Sequence, residues 1–251
     1  MLNLEIRRLR YGLGNTVRFL NRPWRQWIIA PEDATTIFAC GFGADGWHHL
    51  RRTLEELDSN PQIEPQATTL WNFLKEFQPP SISELIPGSS RALPLFVYPW
   101  GTFQYGILES KKSVERSRFC GPSQDIFVIE EFERVKTLYS QMKKNGYKPT
   151  TFPNSFIGGT WLIRSNGQQR FVVLQGNHRM AILAHLGYRA IAVRTMPGFL
   201  AKICEKDIKK WPLVQLGICD ECQAISIFNL FFEMSGFHIA KRLKCDKTDM
   251  S

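Results

Sequence analysis

A chain of 251 residues and 29.0 kDa with 43% hydrophobic and 22% charged residues has ordinary globular composition, long enough for one sizeable core or two small ones. That excludes disorder of the whole chain. The 32 Lys+Arg against 23 Asp+Glu leave a net charge of +9 and a pI near 9.4, so anionic partners are favoured: nucleotides, nucleic acid, phosphosugars or an acidic membrane surface.

The basic excess is scattered in short pairs, Arg7/Arg8, Arg51/Arg52, Lys111/Lys112, Lys209/Lys210 and Lys241/Arg242. Such pairs read as solvated surface before they read as a nucleic-acid footprint. The opening MLNLEIRRLRYGLG interleaves charge with apolar positions and lacks the apolar core of a signal peptide, and no run approaches the ~18 apolar residues of a membrane span. Six dispersed cysteines do not form a secreted disulfide framework. The expectation is a soluble, cytoplasmic protein with reduced thiols.

In chain order, residues 1–98 form a region of their own, aromatic and basic, interrupted by Pro79-Pro80 and Pro87-Gly88. Its one clear helix is expected over residues 67–77, where Leu70, Phe73, Leu74 and Phe77 recur at helical spacing. FACGFGADGWHH, residues 38–49, contains G-x-G-x-x-G but no following strand-turn-helix unit with a downstream acid. A plain glycine-rich loop is therefore favoured over a phosphate loop. His48 and His49 are adjacent, so on regular structure they point in different directions, which disfavours a shared metal.

Further on, Glu130, Glu131 and Glu133 are expected to open a helix and Lys136, Lys143 and Lys144 to close it, with Phe132, Val135, Leu138, Tyr139 and Met142 as its apolar stripe and Asn145-Gly146 as its end. The β-prone runs 161–164 and 170–174, joined through Asn166-Gly167, predict a hairpin. A last helix is predicted with Asp220 as N-cap and Ala224, Ile227, Phe228, Phe231 and Phe232 on one face. That face is expected to pack on the main domain; docking a partner is the alternative.

The stretch FVVLQGNHRMAILAHLGYRAIAV, residues 171–193, reads as strand, sharp turn, helix and strand. Gly176 permits a tight turn, and the first amides of a helix over residues 177–186 form an anion site with the helix dipole. Arg179 can add a bidentate fork to a phosphate oxygen. His178 can donate a hydrogen bond or act as acid or base. The competing reading is local: Asn177 as a simple N-cap, with His178 and Arg179 satisfied nearby. A metal shared by His178 and His185 is excluded, because seven residues separate them by about 10 Å along the helix axis.

Two successive segments, FCGPSQDIFVIEEFERVKTLYSQMKKNGYKP and GGTWLIRSNGQQRFVVLQGNHRMAILAHLGYRAIAV, resemble the ParB-like/sulfiredoxin-like fold family. The resemblance covers residues 114–196, under half of the chain. Its core is Gly176, Arg179, Met180-Ala181 and Leu186-Gly187-Tyr188. It implies a mixed α/β (α+β) domain over residues 99–200, a separate N-terminal aromatic-basic region over residues 1–98 and a C-terminal helical extension over residues 201–251. In the family this turn binds nucleotide phosphates; members include CTP-hydrolysing chromosome-partition proteins, sulfiredoxins, kinases acting on free serine and nuclease-like proteins.

Departures from the family pattern narrow the choice. Sulfiredoxins carry the catalytic cysteine where this chain has Asn177, which disfavours sulfinic-acid reduction; Cys120 in the neighbouring SRFCGPS loop reads as a packing residue. The serine-kinase-like members begin the motif with Asp, here Gln175. Glu130, Glu131 or Asp125 could supply a carboxylate instead, although each is also explained as a helix-start charge. No helix-turn-helix is expected after this domain: residues 205–244 contain one strong amphipathic helix and a helix-hostile Pro212, too little for a DNA reader. A lone C-x-x-C, Cys219 to Cys222, is weak support for zinc.

The resemblance thus implies a nucleotide-binding protein, with Gln175, Gly176, Asn177, His178 and Arg179 at the phosphates and Arg116, Arg118 and Ser123 of the neighbouring loop as the second wall. ATP, ADP or CTP with Mg²⁺ would be the cofactors, and a small-molecule acceptor the second partner, for phosphoryl transfer or nucleotide hydrolysis. The alternatives are a non-catalytic nucleotide-gated binding module and a ParB-like DNA-binding or nuclease protein. Nucleic acid is the less favoured partner.

Overall fold

The structure is a computed structural model and describes residues 26–79, 93, 97–102, 119–150, 156–196, 199–233 and 235–244. In chain order it runs through β1 (Gln26–Ile29), β2 (Ala34–Thr35), α1 (His49–Ser59), α2 (Thr69–Glu76), β3 (Val97–Tyr98), β4 (Gly101–Thr102) and α3 (Asp125–Asn145). Then come β5 (Ile157–Ile163), β6 (Gln169–Gln175), α4 (Asn177–His185), β7 (Ile191–Thr195) and β8 (Lys202–Cys204), and finally α5 (Pro212–Gln215), α6 (Glu221–Glu233) and α7 (Phe237–Arg242). The fold is mixed α/β, its sheet curled into a half-barrel.

The expected hairpin is the centre of that sheet. β5 and β6 pair antiparallel across a turn in which Gly167 takes a φ of +88° and the Asn166 side chain accepts from the Gln168 N–H at 2.9 Å. The sheet order is β1-β7-β5-β6-β2; β7 and β8 both run parallel to β5 and share its other edge. Because β6 and β7 would otherwise expose free edges, the N-terminal strands have a place to go: β1 adds antiparallel to β7 and β2 parallel to β6. The N-terminal part, expected to stand apart up to residue 98, therefore shares one sheet and one core with the later strands and helices.

Helix α1, absent from the sequence expectation, covers this core. Its buried stripe is Leu50, Leu54 and Leu57 with His49 and Thr53. Only three apolar residues in eleven mark it, and Arg and Glu make up half of the rest. Helix α2 matches the expected 67–77 segment, capped by Thr68, whose Oγ1 accepts from the Trp71 N–H at 3.2 Å. Helix α3 begins at Asp125, earlier than expected, since Gln124 is extended after Pro122. Glu130, Glu131 and Glu133 thus lie beyond its opening turn, and Glu131 falls on the buried stripe with Val128, Phe132 and Val135.

At the far end of the helical layer, Asp58 of α1 joins α3 and α4. Its carboxylate accepts from the Tyr139 hydroxyl at 2.8 Å and stands 2.7 Å from His185 Nε2. Burial alone would raise the Asp58 carboxyl, but the hydrogen bonds from His185 and Tyr139 and the charges of His185 and Lys143 outweigh it and hold the group below the ordinary carboxylate value.

The C-terminal helix packs as expected. The Gln223 N–H donates to Asp220 Oδ1 at 2.7 Å, and Phe228 and Phe231 are buried among Trp100, Trp211 and Tyr98. Pro212, read as hostile to a helix, instead starts α5: at the first helical position its missing N–H costs nothing. Among the described residues no helix is long and apolar enough to cross a membrane.

Candidate functional site

At the β6-to-α4 junction Gly176 adopts a left-handed conformation, φ +93° and ψ +27°. A Cβ there would lie 3.2 Å from Ile157 Cγ1 and 3.3 Å from the Arg179 guanidinium, so glycine is required both for the turn and for the space. Gly176 is itself the N-cap, its carbonyl accepting from the Met180 N–H at 2.9 Å, and no side chain caps the helix. The expected alternative of Asn177 as the N-cap does not hold. Asn177 is the first helical residue, and its buried Oδ1 makes no hydrogen bond among the described residues. As in any helix, the first amides have no intrahelical acceptor.

Of the three carboxylates considered from the sequence, α3 brings one to this turn. Glu131, 3% exposed, places Oε2 3.0 Å from His178 Nε2, within ion-pair distance though not aligned for a hydrogen bond. Glu131 Oε1 is 3.6 Å from Arg134 Nε. Helix periodicity explains the selection: Glu131 is three residues beyond buried Val128 and four before buried Val135, whereas Glu130 turns outward and is exposed. Asp125 pairs with Lys75 at 2.6 Å on the α2 side.

Beside the turn lies a cavity of about 180 Å³. Gln175, Gly176, Asn177, His178 and Glu131 form its polar end; the rest is largely apolar, with Leu70, Leu74, Leu174 and Phe119 in the wall. His48 and His49 also line it. Their rings stack on one another at 4.5 Å, with Phe42 beyond His48 at 4.4 Å and Phe73 beyond His49 at 3.7 Å. The expectation that two adjacent histidines diverge fails because His48 is an extended N-cap and His49 already helical, so neither period applies across the junction.

The state of these rings is set by their partners. His48 Nδ1 accepts from the Leu50 N–H at 3.1 Å, so the neutral ring carries its proton on Nε2, which has no acceptor among the described residues. Burial first, then the charges of His178 and Arg51, lower the His48 pKa to about 3. Burial, then His48 and His178, hold His49 well below its ordinary value, and its Nδ1 makes no hydrogen bond. Cys40, also in the wall, has its thiol pushed up to about 12 by burial, against an opposing hydrogen bond from Thr36, and is no nucleophile.

Arg179 packs back over Gly176 beside Tyr147 and is not among the residues lining the cavity. Burial lowers its pKa and the nearby Tyr147 offsets part of that. Tyr147 itself is fixed, its hydroxyl donating to the Ala192 carbonyl at 3.0 Å and accepting from the Ile157 N–H at 3.1 Å. Ser123 is buried under α2, with its N–H on the Leu74 carbonyl at 2.9 Å and its own carbonyl accepting from Lys75. Arg116 and Arg118 lie outside the described residues. Cys120 is buried in the core, and Cys219 is buried while Cys222 is exposed. Among the described residues no group of three or more His, Cys, Asp or Glu could hold a metal ion.

Sequence patterns alone did not place His48, His49 and the apolar wall at the site. Leu50, Leu54 and Leu57 at helical spacing directly after His48 were the available signal. In comparisons with known proteins, no family model matches the chain and no curated protein matches it.

Proposed function

We propose that this chain is a nucleotide-binding protein with a ParB/sulfiredoxin-like domain, whose phosphates sit on the first amides of α4 and whose reaction class is phosphoryl transfer to a small molecule or nucleotide hydrolysis. The observation that carries the reading is the pairing of Glu131 with His178 at 3.0 Å on the left-handed turn at Gly176, beside a cavity of about 180 Å³. A helix N-terminus attracts an anion, and a glycine lets a phosphate oxygen approach the backbone. Arg179, over the same glycine, adds a fixed cation to the turn.

Catalysis of this class is mostly positioning and charge neutralisation. His178 accepts the proton of the attacking hydroxyl or water, and the Glu131 carboxylate at 3.0 Å balances the imidazolium. Mg²⁺, when bound with the nucleotide, would neutralise charge on the phosphates. Of the carboxylates singled out from the sequence, Glu131 alone reaches the cavity, and it is engaged with His178, so that ion would be held by phosphate oxygens and water.

The test is a thermal-shift panel of ATP, ADP, CTP, GTP and UTP with and without Mg²⁺, on wild type and Arg179→Ala. A shift of several degrees for one nucleotide in wild type, lost in the variant without loss of folding, is the expected result. No shift with any nucleotide would sink the reading. Release of phosphate by the responding nucleotide separates an enzyme from a nucleotide-gated binding module.

A further inference from the structure

The cavity has a chemistry of its own that the phosphate turn does not use. Among the described residues, the buried Nε2–H of His48, 1% exposed, has no acceptor, and His49 Nδ1 and Asn177 Oδ1 have no partners. Buried polar atoms are nearly always satisfied, so three in the wall of one cavity point to a molecule that satisfies them. The remainder of the wall is largely aromatic and aliphatic, and the stacked rings of His48, His49 and Phe73 contribute to it. A dry cavity of about 150 Å³ is enough to take benzene. This one is about 180 Å³.

The charge of the occupant is restricted as well. Glu131 is the one carboxylate in the described wall, and it already faces His178, while His48 and His49 are kept neutral by burial. Away from the α4 amides, a carboxylate, an ammonium group or a zwitterion would be desolvated there without a counter-charge.

We infer that this cavity holds the acceptor of the proposed transfer, and that the acceptor is a small uncharged alcohol with an apolar or aromatic body. The hydroxyl oxygen accepts from His48 Nε2–H and its proton faces His178, while the body lies against Phe73, Leu70 and Leu74. The acceptor role rests on the nucleotide reading above; occupancy by the alcohol does not. In the transfer the alcohol oxygen forms a bond to the terminal phosphorus and the bond from that phosphorus to the bridging oxygen breaks. The electron pair leaves with the nucleoside diphosphate, and the alcohol proton passes to His178. The products are a phosphate monoester and the diphosphate.

Ligand-observed NMR on the full chain, with benzyl alcohol as the probe and benzoate, benzylamine, free serine and adenosine as comparators, tests the inference. Expected is saturable binding of benzyl alcohol that weakens at least tenfold in His48→Phe, which keeps the ring stack but removes the N–H, and in Leu70→Phe, which fills the cavity. If either variant misfolds, Leu174→Phe fills the same space from β6. No binding to wild type, binding of a charged comparator as tight as that of the alcohol, or displacement of the alcohol by adenosine would each overturn it, the last by making the cavity a base pocket. A parallel nucleotide melting series keeps the two ideas apart. Nucleotide shifts without alcohol binding remove this inference and spare the nucleotide site; alcohol binding without any nucleotide shift removes the acceptor role. With both present, a phosphate monoester of the alcohol should appear by ³¹P NMR.

Discussion

Replacing His49 with Phe should make the protein less sensitive to acid. His49 is 8% exposed, lies flat on Phe73 at 3.7 Å and is held neutral in the folded chain by burial and by the neighbouring His48 and His178. Its folded pKa is depressed, so the unfolded chain takes up a proton that the folded chain refuses. Stability is therefore complete above the ordinary value of 6.5 and is lost as pH falls below it. One such histidine costs about 1.4 kcal/mol per pH unit on the acid side, or about 2 kcal/mol between pH 7 and pH 5. His48 and His238, lowered to about 3 and about 4, add similar losses, but these occur in wild type and variant alike. Phe keeps the stack and removes the buried Nδ1, so at pH 7 the exchange should change stability by less than about 1 kcal/mol. Urea unfolding followed by tryptophan fluorescence at pH 7 and pH 5 measures both. His49→Phe should lose about 2 kcal/mol less than wild type across that interval. An identical loss in the two proteins would refute the placement of His49 as a buried neutral base.

The same geometry sets the outcome of other perturbations. Gly176→Ala forces a side chain into a left-handed turn against Ile157, at a cost of about 1–2 kcal/mol and a fall in melting temperature of about 3–6 °C by calorimetry. Glu131→Gln keeps the shape beside His178; nucleotide-induced melting shifts should persist while turnover falls at least ~100-fold, and unchanged turnover would remove Glu131 from the chemistry. Tyr139→Phe deletes the hydroxyl that donates to Asp58, a partly exposed carboxylate, and should cost about 1 kcal/mol at pH 7. Burial, then the Asp58 carboxylate, raises Tyr139 to about 12, so this contribution is complete below 10 and disappears as pH rises towards 12; alkaline melts of the two proteins should converge. Phe228→Ala should cost about 3–5 kcal/mol, because its ring is fully buried between Trp100 and Trp211.

Local signals were sufficient for the elements that surround the site. Asn166-Gly167 between two β-prone runs specified the β5-β6 hairpin, Gly176 specified the break into α4, and the Phe228/Phe231 face specified a buried C-terminal helix. Each rests on a short-range cause: a backbone conformation that glycine tolerates, or an apolar period that must be covered. Glu131 was one of three carboxylates read as helix-start charges; with α3 starting at Asp125 it lies past the opening turn, on the buried stripe with Val128, Phe132 and Val135. His48 and His49 were misread because neither helical nor strand periodicity holds across an N-cap.

The strand-turn-helix with its amide-lined N-terminus, and the residues Gly176 to Arg179 that stand on it, were legible in the order of the amino acids. What faces that turn was settled by long-range packing. Strands β1 and β2 complete the sheet edges and carry the 38–49 loop and α1 against α4 and α3, which sets His48 and His49 in the lining of one cavity with Glu131 and His178. The two histidines of α1's start lie about 80 to 130 positions before their partners in the chain, and contacts at that separation are fixed by edge pairing and burial of apolar faces, for which no local pattern exists.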